Sequence, residues 1–316
     1  MNPMLAVVAE SQGGVFSRGQ ALACGYTPRG IRDRVRSGRW LRVRYGQYAE
    51  AVDLSRLAPW DQELSRYRQL VYAVMNAMRP GSVAISHQSS LLLHGLPLWG
   101  VDLSQVHLTR LDERRHSGPV ADVRYHRGSL ASDDLAMIGG QTTTALPRSV
   151  VESACTASFE AAVVFADAAL RDHAIDGQEL LRLLQLTEFW PGSATARAAL
   201  SFADGRSESV GESRFRVLMH NQGLPVPELQ VVYRDRHGII GRVDFDFSGR
   251  NTVVEFDGRL KYADASSDVL VQEKIREDRL RGIGLEVVRM MWPDLNRPAD
   301  AAATIRAAFA RARRAA

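Results

Sequence analysis

The chain has 316 residues, of which 45% are hydrophobic and 24% charged, the size and composition of two or three soluble globular domains. Without a run of about 18 apolar residues or a basic-flanked apolar leader in MNPMLAVVAESQGG, neither a membrane partner nor secretion is expected; Cys24 and Cys155, far apart, form no disulfide framework or metal spacing and suit a reducing, cytoplasmic setting. The net charge of +4 is uneven: residues 1–50 hold eight Arg against three acids, residues 51–204 hold 13 basic against 17 acidic, and residues 205–316 hold 19 against 16.

Basic ends attract phosphate backbones, and a solvated arginine-rich surface is the plainer alternative. Ser17-Arg18-Gly19-Gln20 has the spacing of a capping box that opens a helix ending near Gly25. Thr27 is a good N-cap, Pro28 suits the first helical position and Gly38 the exit, which frames a second helix. On it Ile31 and Val35 share one face, while Arg29, Arg32 and Arg36 share another. Trp40, Val43, Tyr45 and Tyr48 then mark a hairpin turning near Gly46. Helix, turn, basic helix and hairpin is the order of a winged helix-turn-helix, with the basic helix in a major groove and the wing, carrying Arg42 and Arg44, on the backbone. A protein-docking winged helix is the alternative.

The segment VVAESQGGVFSRGQALACGYTPRGIRDRVRSGRWLRVRYGQYA resembles the N-terminal domain of AbiEi-type antitoxins. That resemblance implies promoter DNA as partner, with Arg29, Arg32 and Arg36 facing it, and a cognate toxin or another protein as a second partner.

Residues 51–204 read as a mixed α/β connecting domain. A helix spans about 59–78, and VAISHQSSLLLHGLPLW forms another, capped by Ser86 and ended by Gly95. Patches at 103–109 and 120–126 alternate as strands, and 147–203 is helical, with Pro147, Asp176 and Pro191 at helix starts. The stretch from Ser86 to Trp99 also resembles the middle region of AbiEi-type proteins. His87 and His94 lie seven apart with no acid or cysteine nearby in the sequence, the pattern of structural histidines.

In residues 205–316 the predicted order is α-β-β-β-α-β-α. A helix over about 208–222 precedes the strands LQVVYRD, IIGRVDFDF and TVVEFDG, the first two joined by a turn at Asp235–Gly238. A helix over about 268–282, the strand LEVVRMM and a helix over about 298–314 follow. Alternation places Asp244 and Asp246 on one face, opposite Val243, Phe245 and Phe247, and Glu255 with Asp257 opposite Val254 and Phe256. Carboxylates crowded on adjacent strands repel unless a cation or proton lies between them, and oxygen ligands suit Mg²⁺ or Mn²⁺. Such an ion, held by Asp244, Glu255 and either Glu212 or Asp257, would activate water against a phosphodiester. Glu212 reads equally as the last residue of a Ser209–Glu212 capping box. The only two lysines of the chain, Lys261 and Lys274, fall nearby and are candidates to orient that water, while Arg276 and Arg279 would contact phosphate.

The motifs ESRFRVLMHNQGLPVPELQ, GRVDFDF, VVEFDGRLKY and EKIREDRLRGIGLEVVRMMW resemble the PD-(D/E)XK nuclease superfamily, and more closely a small family related to very-short-patch-repair endonucleases. The resemblance implies a restriction-endonuclease-like α/β core, with Asp244 as the motif aspartate and Glu255 as the motif acid. The usual lysine two residues on is here Asp257, so either Lys261 or Lys274 serves or the domain does not cut. The expected organisation is therefore α/β multidomain: a winged helix over 1–50, a connecting domain over 51–204 and a nuclease-like domain over 205–316. Three functions are weighed: a DNA-directed, metal-dependent endonuclease, an AbiEi-type repressor with an inactive nuclease fold, and a protein-interaction scaffold, against which the basic helix argues.

Overall fold

The computed structural model describes residues 1–111, 121–172, 175–258 and 267–315. It falls into two compact units, one of residues 1–161 and 175–198, the other of residues 162–174 and 199–316.

The first unit opens with α1 (Pro3–Glu10), β1 (Val15–Ser17), α2 (Arg18–Ala23), α3 (Pro28–Arg36), β2 (Trp40–Arg44) and β3 (Gln47–Glu50). The Ser17 hydroxyl accepts the Gln20 N–H, and the Gln20 side chain accepts the Ser17 N–H, so the expected capping box is present. The Thr27 hydroxyl accepts the Gly30 N–H and starts α3. The wing gains a third strand, because β1 pairs antiparallel with β3 in the order β1-β3-β2. Leu5, Ala9, Phe16, Ala21, Ile31 and Trp40 form its core, and Phe16 meets Trp40 edge-on at 4.7 Å.

The rest of this unit is built on a five-stranded mixed sheet. Its elements are α4 (Pro59–Met75), β4 (Val83–Ile85), α5 (His87–Leu93), β5 (Val106–Arg110), β6 (Val123–His126), β7 (Leu135–Ile138), β8 (Gln141–Thr144) and α6 (Leu146–Ala154), followed in the chain by α7 (Phe159–Arg171), which from residue 162 belongs to the second unit, α8 (Gly177–Leu186), and α9 (Ser193–Phe202), which from residue 199 does so too. The strand order is β6-β5-β4-β8-β7. Three of these strands, β4, β7 and β8, carry three or four residues each and were not anticipated. Ser86 does not cap α5 as expected. Its hydroxyl instead bonds the ring of His87, whose backbone turns left-handed at φ 53°.

The second unit adds α10 (Val210–Asn221), β9 (Glu228–Asp235), β10 (Gly238–Phe247), β11 (Thr252–Asp257), α11 (Ser267–Gly282), β12 (Glu286–Met291) and α12 (Pro298–Ala315) to most of α7 and the end of α9. The sheet order is β12-β11-β10-β9, with β11 parallel to β12 and the other pairs antiparallel. Phe245, Phe247, Val254, Phe256, Val288 and Met290 face a core shared with α10 and α12. Val243 departs from the expected alternation. It packs on the opposite side with Val253, Val287 and Leu280 of α11. The break falls at the Asp244 level, where Gln230 on β9 takes a left-handed φ of 58° and switches the facing of the paired strands.

Trp40→Ala removes the centre of the winged-helix core, and we expect a loss of about 3–5 kcal/mol in the stability of that region. The exposed wing-tip change Tyr45→Ala should stay within about 0.5 kcal/mol. Denaturant unfolding followed by circular dichroism distinguishes the two.

Candidate nucleic-acid interface and carboxylate site

On α3 the apolar stripe faces inward through buried Ile31 and half-buried Val35, and Arg29, Arg32 and Arg36 are exposed. Arg29 lies 3.9 Å from Asp33, a loose solvent-exposed pair worth little. Arg32 and Arg36 have no carboxylate partner among the described residues, so their charge faces outward. Arg34, by contrast, lies over Tyr26 at 4.6 Å and Trp40 at 5.5 Å and clamps the helix to its core. In the wing Arg42 is exposed beside the Tyr45 ring, whereas Arg44 is drawn to Asp122 at 3.1 Å. The pairing of Arg44 was invisible in the sequence because its partner lies 78 residues away.

The carboxylates of the second unit collect where β10 and β11 part. Their register ends at Phe245 opposite Val254, and the Asp244 carboxylate then accepts the Phe256 N–H at 2.8 Å in place of a strand carbonyl. Gln230 donates to Glu212 at 3.0 Å and to Asp244 at 3.4 Å, which links the first turn of α10 to the sheet. Gly211 allows this approach, since a Cβ there would lie 2.1 Å from the Phe256 ring. Glu212 also accepts the Ser209 hydroxyl at 2.8 Å and the Glu208 N–H at 2.9 Å, so its carboxylate serves the helix start. Burial raises the pKa of Glu212, Asp244 and Glu255 above the usual carboxylate range, and Asp244 raises both glutamates further.

Glu255 is neutralised by arginines. The Arg276 guanidinium bonds it directly, after crossing Gly241 where a Cβ would lie 2.4 Å from Nε. Arg289 approaches it to 3.7 Å and also reaches Asp257 at 3.3 Å and Glu273 at 3.0 Å. Arg279 grips Asp235 through two bonds of 2.7 and 2.8 Å. The arginines read as phosphate contacts thus tie α11 to the sheet. Lys274 is exposed and pairs with Asp278 at 2.9 Å, away from the carboxylates, and Lys261 lies outside the described residues. Asp246 is separate as well, buried and bonded by the Tyr233 hydroxyl at 2.9 Å.

Among the described residues, Glu212, Asp244 and Glu255 do not bring one ligand oxygen each within 4.8 Å of one another as a set of three, and Arg276 is bonded to Glu255. The one set of three that does converge was missed in the sequence: His87, His107 and His126, each from a different element of the mixed sheet and α5. His94 points elsewhere, to the Thr144 carbonyl at 3.0 Å. Glu152 lies 3.6 Å from the His87 ring, so the absence of a nearby acid held for sequence distance and fails in space.

The first fifty residues thus form a winged helix with an outward arginine face. Residues 5–51 match the family described as transcriptional regulator, AbiEi antitoxin. The chain is 29% identical over 284 residues to an uncharacterized protein of Mycobacterium tuberculosis, Rv2248 in strain H37Rv and MT2308 in strain CDC 1551, covering 89% of this chain and 96% of the relative. The crystal structure of the RV2827C protein from Mycobacterium tuberculosis aligns with 14% identity and a TM-score of 0.35 over 64% of this chain and 82% of that one. No helix among the described residues is long and apolar enough to cross a membrane.

Arg276→Ala strips the counter-charge from Glu255 and should cost about 1.5–3 kcal/mol at neutral pH. Glu255 then holds its proton in the folded state to a still higher pH, above its unfolded value, so the deficit is full above the folded pKa and shrinks as pH falls through it. Thermal unfolding of both proteins between pH 7 and 4 checks the sign. A deficit that grows on acidification overturns it.

Proposed function

We propose that the protein is a cytoplasmic DNA-binding transcriptional regulator of AbiEi type, whose C-terminal carboxylate site is held closed by Arg276 and Arg289. The observation that carries this reading is the exposed arginine face of α3, where Arg32 and Arg36 project from a helix whose other side is anchored by Ile31, Arg34 and Trp40. A rigid helix with outward guanidinium groups matches the major groove, and the wing carries Arg42 to the adjacent backbone. The family match over residues 5–51 supports the same reading, in which a toxin or another protein is a second partner. Arg276 and Glu255 form the internal ion pair that an inactive nuclease fold would keep.

A second reading, metal-dependent phosphodiester hydrolysis, draws on Glu212, Asp244 and Glu255, three carboxylates whose pKa values burial raises. It requires Arg276 to leave Glu255 so that Mg²⁺ or Mn²⁺ is held by Asp244 and Glu255.

Gel-shift titration on the protein's own upstream DNA at several salt concentrations tests the first reading. Arg32→Ala with Arg36→Ala should weaken binding and make the slope of log K against log salt shallower by about 2, near 0.9 per lost phosphate contact. Binding should survive a chelator, and an unchanged slope overturns the interface. Incubation of plasmid and single-stranded DNA with Mg²⁺ or Mn²⁺ should leave both intact. Cleavage that is abolished by Glu255→Gln would replace the regulator reading with the nuclease one.

A further inference from the structure

The mixed sheet of the first unit carries a second cluster with no part in either reading above. His87 starts α5, His107 sits in β5 and His126 ends β6, and β5 and β6 are parallel with His107 opposite Arg124 and Thr109 opposite His126. One ring nitrogen from each histidine lies within 4.8 Å of the other two. His126 Nε2 and His107 Nδ1 are 3.0 Å apart, and the rings of His87 and His126 stack with centroids 3.6 Å apart.

We propose that His87, His107 and His126 form a binding site for a transition-metal ion of the Zn²⁺ class. Three imidazoles are the donor set such ions prefer, and three protein nitrogens leave a further position for water or a small ligand. Tetrahedral Zn–N bonds of about 2.1 Å place ligand nitrogens about 3.4 Å apart, which the His107–His126 pair already approaches and His87 reaches by tilting out of its stack.

The surroundings are those of an ion site and differ from a closed cluster of core histidines. Gln88 Nε2 donates to His107 Nε2 at 2.9 Å and to the Asp102 carbonyl at 3.2 Å, which orients the ring and leaves its proton on Nδ1, shared with His126. An ion takes the place of that shared proton, which moves to His107 Nε2 as the Gln88 amide turns to accept it. Glu152, 1% exposed, lies 3.6 Å from the His87 ring, and its Oε2 has no hydrogen-bond partner. Thr109 Oγ1 is likewise buried and unpartnered. Both residues line a cavity of about 320 Å³ that also reaches His87, His126, Arg124 and Trp190. Two buried oxygens without partners beside three converging imidazoles mark a place for a bound ligand. The Arg148 guanidinium pairs with Glu152 Oε1 at 2.9 Å, and Arg124 is exposed. The left-handed backbone of His87 holds its ring in this position at a cost that ordinary packing does not require.

The test uses the full-length, tag-free protein passed over a chelator. Titration with Zn²⁺ by calorimetry should show one ion per chain, and Co²⁺ should give a visible ligand-field band. His126→Ala, at a half-buried strand end, should weaken uptake at least tenfold while circular dichroism and DNA binding stay as in the wild type. Glu255→Gln should leave uptake unchanged. In the wild type, independent of any variant, Zn²⁺ should shift the ring ¹⁵N resonances of His87, His107 and His126 and leave His94, His220 and His237 in place. No uptake, uptake undiminished in His126→Ala, or shifts confined to the other histidines each overturn the site.

Discussion

The bond between the Arg276 guanidinium and the Glu255 carboxylate governs the C-terminal unit. Burying a carboxylate in the middle of a sheet requires a nearby positive charge, because the dielectric there no longer screens it. Arg276 supplies that charge from α11, and Gly241 leaves room for it to cross the neighbouring strand. Arg289 adds a second guanidinium from β12, the parallel neighbour of β11. The consequence is mechanical as well as electrostatic: α11 is fastened to the sheet by Arg276 and by the forked Arg279–Asp235 pair, so opening the carboxylates would require this helix to shift.

The same economy of charge appears at the other end of the chain, with the opposite outcome. Of the arginines on and beside α3, Arg34 is taken into the core by Tyr26 and Trp40, and Arg44 is held by Asp122. What remains outward is a short row, Arg29, Arg32 and Arg36, on a helix that cannot easily rotate. A cation committed to an aromatic face or a carboxylate stabilises the fold, and an uncommitted one is free for a phosphate. The division between the two roles depends on partners that are distant in sequence.

Local chemistry made much of the architecture legible. The Ser17–Gln20 box, the Thr27-Pro28 start of α3 and the two-residue turn after Asp235 act through neighbours within four residues, so their signals survive in one dimension. The strands β4, β7 and β8 were not legible, since three or four residues cannot show a period, and their pairing comes from other parts of the sheet. Alternation misplaced Val243 because a left-handed residue on the partner strand, Gln230, changes the facing there. Glu212 was readable as either cap or ligand, and its bonds to Ser209 and Glu208 show the cap in use.

By itself the sequence determined the helical caps, the basic stripe of α3, the α-β-β-β-α-β-α order and the acids of β10 and β11, all of which follow from short-range sterics, hydrogen bonding and periodicity. Only the tertiary structure decided which charges are neutralised and which histidines meet. Glu255 and Arg276 lie 21 residues apart, Arg44 and Asp122 lie 78 apart, and His87, His107 and His126 converge only because β5 and β6 run parallel beside α5. Electrostatic pairing and ligand convergence act through space, and the chain path that brings such groups within a few ångströms is set by packing of the whole sheet.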